Sequence, residues 1–159
     1  MKPSKFVRVI RNYLFSAIVL PCTLLVCLTF WSIYVMDKKL VCPKCVDENY
    51  PSWLNHAIHS VIVLPLIIEM SLPKKYDFVK FWKALVILTA FVIAYQVMFL
   101  NIYFEHNVWI YPVFKYLTWF QRILFLSMLY GWSIMFLYLG IYLKNWKGSV
   151  TINEEIKEN

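Results

Sequence analysis

Glycine is scarce in this chain, with 3 in 159 residues, and acidic side chains are outnumbered 9 to 16 by basic ones. No HExxH pattern occurs, which removes the commonest helical zinc-hydrolase signature. No RNA- or DNA-binding motif accompanies the net charge of +7, so the charge is read as loop asymmetry plus attraction to anionic lipid, and nucleic acid is not an expected partner. No small-residue cleavage site follows the first apolar run, which is also longer than a signal-peptide core, so that run is expected to stay as an anchor. Internal repeats are not apparent. What remains is a chain 61% hydrophobic and 19% aromatic, more apolar than a soluble domain of this length can keep inside. The class that follows is an integral, multi-pass membrane protein, in the endomembrane system or the plasma membrane, with the lipid bilayer as its first partner.

Uncharged runs cover Tyr13 to Met36, Ala84 to Phe104 and Ile123 to Leu143, each close to the ~20 residues a helix needs to cross hydrocarbon. The stretch Asn55 to Leu72 is shorter and carries His56, His59 and Glu69, but its Val-Ile-Val-Leu-Pro-Leu-Ile-Ile centre is too apolar for a loop in water. It is read as the second of four spans in an all-α, four-helix transmembrane bundle occupying residues 1–148, followed by a polar tail over 149–159. Gly140 is read as a helix finish. Lys2, Lys5, Arg8 and Arg11, then Lys74, Lys75, Lys80 and Lys83, then Lys144, Lys147 and Lys157 fall on one side, and by the positive-inside tendency both termini are expected in the cytosol. Around Pro112, the aromatics Trp109, Tyr111, Phe114, Tyr116, Trp119 and Phe120 suit an interfacial belt or a turn at headgroup level.

The chemistry gathers at the other side, where Trp53-Leu54-Asn55-His56-Ala57-Ile58-His59 runs from a polar loop into an apolar span. Ionisable side chains at such a boundary are costly and tend to be functional. Residues three apart share a helix face, so His56 and His59 are expected to look into one cavity, and the topology brings Glu105, His106 and Asn107 to the same side. Glu69 lies ten residues past His59, about 15 Å along a helix, and belongs near the opposite surface. The imidazoles are open to three uses: zinc ligation with Glu105 and His106, hydrogen bonds across helices, and general-base chemistry, the last favoured because a neutral imidazole accepts a hydroxyl proton near neutral pH. Ser60, on the His56 face, and Thr29, at a depth comparable with His59, are the hydroxyls a base there would reach, although a helical hydroxyl usually bonds its own backbone. Cys22 and Cys27 are expected to pack as small apolar groups in the first span. Cys42-Pro-Lys-Cys45 is a CxxC pair in a non-cytoplasmic loop, able to form a local disulfide in an oxidising compartment.

A set of short matches runs through the chain: Phe30-Trp31, Ile33-Tyr34, Asp37-Lys38, Pro43-Lys44, Trp53-Leu54-Asn55-His56 with His59, Leu64-Pro65, Ile68-Glu69-Met70, Trp109 with Tyr111-Pro112, and Arg122. Together they resemble the androgen-induced gene 1 family. The resemblance implies a multi-pass membrane hydrolase that cleaves fatty acid esters of hydroxy fatty acids with a threonine nucleophile and a histidine, without metal or cofactor. The family's histidine falls on His59; the charge developing on the ester carbonyl oxygen would need donors, for which Asn55, His56 or the Tyr111 hydroxyl are the candidates. It also implies that two spans and the threonine precede the matched region, so the chain is expected to be truncated at its N-terminus and to lack that nucleophile. Thr23 and Thr29 do not stand at the threonine's position. The alternative is a non-catalytic membrane regulator or scaffold; a transporter is disfavoured because the first and fourth spans are nearly bare of polar residues.

Overall fold

A computed structural model describes residues 5–41, 51–71 and 79–157. The Cys42 and Cys45 pair lies outside the described residues. Among those described, all regular structure is helical: α1 Lys5–Leu14, a π-helical stretch Phe15–Val19, α2 Leu20–Met36, α3 Ser52–His59, α4 Val63–Ser71, α5 Phe81–His106 and α6 Trp119–Lys157, with single 3-10 turns at Lys38–Leu40 and Pro112–Lys115. Three helical stretches are long and apolar enough to cross a membrane, Lys5–Met36, Phe81–His106 and Trp119–Trp146, and a fourth is counted if the bent pair α3 and α4 is one span. Side chains such as Val35, Val86 and Phe120 are more than two-thirds exposed on these helices. Apolar exteriors of that extent are stable against lipid and not against water.

Prolines explain the two irregularities. A proline ring lacks an N–H and presses on the carbonyl four residues earlier. For Pro21 that carbonyl is on Ala17, and there the helix widens into a π turn in which the Leu20 N–H bonds the Phe15 carbonyl. For Pro65 the carbonyl is on Val61, and there the helix breaks: Ser60 and Val61 both donate to the His56 carbonyl at 2.9 Å, and α3 and α4 meet at 44°. The second apolar stretch is therefore not the single straight helix expected over residues 55–72.

Other boundaries have local causes. Asp37 ends α2 in extended conformation and accepts the Lys39 N–H at 2.9 Å. Asn107 ends α5 with φ 55°, a left-handed conformation asparagine tolerates. Thr118 and Gln121 cap α6 reciprocally, the Thr118 N–H donating to Gln121 Oε1 at 2.8 Å and the Gln121 N–H to Thr118 Oγ1 at 3.4 Å.

Helices α2, α5 and α6 pack around two buried clusters. One joins Ala17 to Val79, Ala84, Leu88, Leu137 and Ile141; the other joins Leu20 to Leu66 and Phe136. The Tyr13 hydroxyl accepts the Lys80 N–H at 3.1 Å, and the buried Lys144 donates to Ser16 Oγ at 3.0 Å with its ammonium 4.5 Å from the Phe15 ring. This is the basic end. Lys144, counted among the basic residues of that side, is buried within it.

Gly140 does not finish a helix, because α6 continues through it to Lys157. It is a crossing point: a Cβ there would stand 2.8 Å from both Leu20 methyls, and Leu20 is buried. Close helix approach of this kind is what small residues permit in membranes. Gly140→Leu is expected to destabilise the protein by about 1–3 kcal/mol through overpacking, whereas Gly140→Ala regains about 1 kcal/mol of helix propensity and falls much nearer neutral. Thermal melts of the two variants in detergent check this, and equal melting temperatures for Gly140→Leu and wild type would contradict it.

Candidate functional site

Beyond the Leu88–Leu137 core, α2, α3, α5, α6 and the segment after α5 line a cavity of about 460 Å³. That is within the range of small-molecule sites, and the lining is predominantly apolar with a few polar groups, as such sites require. Its polar lining comes from Thr29 on α2, Asn55 and His59 on α3, Tyr95 and Gln96 on α5, Tyr130 and Ser133 on α6, and Tyr111 from the loop that follows α5.

His59 is fixed from two sides. Its ring stacks on Phe30 with centroids 3.4 Å apart and planes within 3°. Its Nδ1 lies 3.2 Å from the Asn55 carbonyl oxygen. A carbonyl only accepts, so Nδ1 carries the proton and the neutral ring keeps Nε2 as its acceptor, the form a general base needs. Asn55 itself is 3% exposed.

His56 does not share the cavity. Phe30 and Trp31 are neighbours on α2 and point to different sides; His59 lies on Phe30, and His56 stacks on Trp31 at 4.7 Å. The exposed His56 Nδ1 stands 3.3 Å from Ser60 Oγ, which accepts the Trp31 indole N–H at 3.1 Å. Ser60 is thus a hydrogen-bonded strut at the break between α3 and α4.

The cavity's far end is closed by the loop after α5. Phe99, Trp109 and Phe114 form a buried cluster. Arg122 donates from Nε and Nη2 to the Phe114 carbonyl at 3.1 and 2.9 Å, and its guanidinium lies 4.4 Å from the Trp109 ring and 4.6 Å from the Trp119 ring. The aromatic segment is therefore only partly a belt: Tyr116, Trp119 and Phe120 are exposed, while Trp109 and Phe114 are core. Tyr111 reaches the cavity and shares a 2.5 Å hydrogen bond with Tyr95.

Several expected members stand elsewhere. Glu105 and His106 are exposed, 3.9 Å from each other, and neither lines the cavity. Glu105 accepts from Asn101 Nδ2 at 3.1 Å, and Asn107 serves as the helix terminus. No group of three metal-ligating side chains occurs among the described residues. Glu69 borders a separate groove with Arg11, Leu14 and Phe15. Cys22 lines the cavity, and both Cys22 and Cys27 are free thiols.

Comparison with known proteins fits this architecture. The sequence profile of FAR-17a/AIG1-like proteins matches residues 1–145. The chain belongs to that family. It is 34% identical over 158 residues to the androgen-dependent TFPI-regulating protein of Mesocricetus auratus, covering 99% of this chain and 68% of that protein. The Homo sapiens protein of the same name is 35% identical over 147 residues, 92% of this chain and 63% of the relative. The Homo sapiens androgen-induced gene 1 protein is 26% identical over 151 residues, 92% of this chain and 62% of the relative. No solved structure matches the chain significantly.

Gln96, Tyr95 and Tyr130 were not singled out by the sequence, and Phe30 entered only as part of the Phe30-Trp31 match, with no role at a site. Gln96 left a signal, being the only amide between Ala84 and Leu100. The Phe30 contact with His59 left none, because an aromatic beside a histidine is recognisable only once α2 and α3 are packed.

Proposed function

We propose that this family member acts on a lipid ester in the cavity, with His59 as general base. The observation that carries the reading is the 3.2 Å approach of His59 Nδ1 to the Asn55 carbonyl, which leaves Nε2 as the acceptor, in a largely apolar cavity among the membrane-spanning helices. His59 Nε2 takes the proton of an attacking hydroxyl as its oxygen bonds to the ester carbon. It then returns the proton to the departing alcohol oxygen, and finally deprotonates the water that releases the acid. The hydroxyl is the threonine that the family resemblance puts ahead of the matched stretch. The Tyr95 and Tyr111 hydroxyls carry two protons and use one between them, so the other is free to donate to the developing oxyanion. The substrate is a fatty acid ester of a hydroxy fatty acid, whose chain suits the apolar walls. In this reading the bent pair is one broken span, the sequence from Lys5 to Trp146 contributes four spans to a helical bundle, and its basic end faces the cytosol.

The test is fatty acid release from such an ester by the purified chain in lipid nanodiscs, alone and extended by the upstream spans of a relative. Turnover in either form that His59→Ala abolishes supports the proposal. Turnover that His59→Ala leaves intact refutes the assignment of the base. A second reading, a non-catalytic membrane regulator, is favoured by the relatives named as TFPI-regulating proteins. No turnover in either form would decide for it.

A further inference from the structure

The cavity is not walled all round. Helices α2 and α5 each pack on α6, and α5 also packs on the π-helical stretch, but among the described residues α2 and α3 scarcely touch α5. Three residues that line the cavity from the two sides of this seam are also substantially exposed: Val26 on α2 at 46%, and Phe91 and Tyr95 on α5 at 41% each. Their heights agree. Both helices run the same way from the basic end, where Tyr13 meets Lys80 and Ala17 joins Ala84 and Leu88 in one cluster. Val26 is nine residues beyond Ala17, and Tyr95 is eleven beyond Ala84 and seven beyond Leu88. Both therefore stand about 14 Å past that cluster, at about 1.5 Å per residue. Cys22 and Phe91, which face the cavity too, lie one turn lower on the same two helices.

In water such a seam would close, because its apolar walls would gain by meeting. Between membrane-spanning helices that drive is absent, since lipid chains are as apolar as the side chains they would replace. A seam that stays parted there is a doorway for acyl chains. The lining says which part of a lipid passes through it: among the described residues, no acidic side chain, lysine or arginine lines the cavity. An ionised carboxylate brought inside would have no counter-charge, at large cost. Entry from the side avoids this, because a lipid can slide its chain and ester between α2 and α5 while its charged end stays at headgroup level.

We infer that the seam between α2 and α5 is a lateral portal through which a lipid of the bilayer enters the cavity, with its chain and ester inside and its carboxylate outside. The class of lipid rests on the proposed function; the route and the orientation are what the His59 chemistry leaves open.

The test uses the full chain in lipid nanodiscs, with Cys27, Cys42 and Cys45 replaced by alanine, Cys22 retained and Phe91→Cys introduced. A short, reducible, bifunctional thiol reagent then ties α2 to α5 across the seam. The probe is a photoreactive alkoxy fatty acid, the ether counterpart of the ester, which binds but cannot be cleaved. Tying is expected to slow both its association and its dissociation at least about tenfold and to leave its affinity within about threefold, because a portal lies on the path and not at its end. Reduction, which cuts the tie and leaves the same bulk on both thiols, should restore both rates. With the native cysteines, Val26→Trp plugs the same seam and should slow both rates as well. Methylating the probe's carboxylate should change its affinity less than about threefold, since a group already at headgroup level gains little by losing its charge. Unchanged rates with the seam tied or plugged, rates that stay slow after reduction, or thiols that label singly but never link overturn the inference. A larger gain on methylation, or a probe that does not bind wild type, does so too. Turnover that tying leaves intact would uphold hydrolysis without the portal, and seam-dependent binding without turnover would uphold the portal without hydrolysis.

Discussion

His59→Ala is expected to lower ester hydrolysis by about 10²–10⁴-fold, the usual worth of a positioned general base. The residue is well placed for so large a loss. Its stack on Phe30 fixes the ring plane, and the bond to the Asn55 carbonyl fixes the proton on Nδ1, so no other orientation supplies the Nε2 lone pair. His56→Ala is the matched control: it removes an equal imidazole one turn away, but one stacked on Trp31 outside the cavity, and should cost less than about threefold in rate, in line with a surface change of a few tenths of a kcal/mol. Rates for both variants on the active form, with melting temperatures recorded alongside, separate chemistry from folding. A His56→Ala loss equal to that of His59→Ala would mean the two rings act as a unit, against the geometry.

Arg122→Met should cost the most in stability. Two charge-assisted hydrogen bonds to the Phe114 carbonyl and two guanidinium contacts, to Trp109 and Trp119, end together. Charged hydrogen bonds are each worth about 1.5–3 kcal/mol and desolvated cation–π contacts up to about 2, so a non-additive total of about 3–5 kcal/mol is expected. The Phe114 carbonyl is left without those donors, and the loop from Asn107 to Thr118 loses its tie to α6. Arg122→Lys keeps the charge but not the fork, and should recover less than half of the loss. Hydrogen exchange across residues 107–118 is the direct readout, because the loop must open before the bundle does. Unchanged exchange in Arg122→Met would mean the aromatic cluster holds the loop without the guanidinium. Since Tyr111, Val113 and Phe114 close one end of the cavity, ligand affinity should fall with loop protection.

The sequence revealed the apolar stretches but not their shape. Hydropathy locates the middle of a span because lipid demands apolar side chains there; it is blind to the ends, where α6 runs on past its apolar run to Lys157. Pro21 and Pro65 were visible, yet whether a proline bends a helix, widens a turn or splits a span depends on what packs beside it. Gly140 carried the signature of a helix end and of a helix crossing alike; only Leu20, 120 residues away in sequence, decides between them. At the site, three-residue spacing pointed His56 and His59 into one cavity, which among the two only His59 lines. It could not say that adjacent rings on α2 would sort them to different sides. Thr29 was readable as a hydroxyl at the right depth, and its lack of a backbone partner was not.

The wide turn at Phe15–Val19 sets the angular phase of everything after it. One residue more than a regular turn holds shifts the following stripe by about 100° around the helix axis. Tyr13 just before it and Ser16 within it address Lys80 at the start of α5 and Lys144 on α6; downstream, Thr29 and Phe30 address the cavity and His59. A single helix thus serves two audiences that a uniform winding would not align at once. Excising one residue there would leave composition and hydropathy almost untouched while rotating the Thr29 and Phe30 wall of the cavity toward the wrong neighbours.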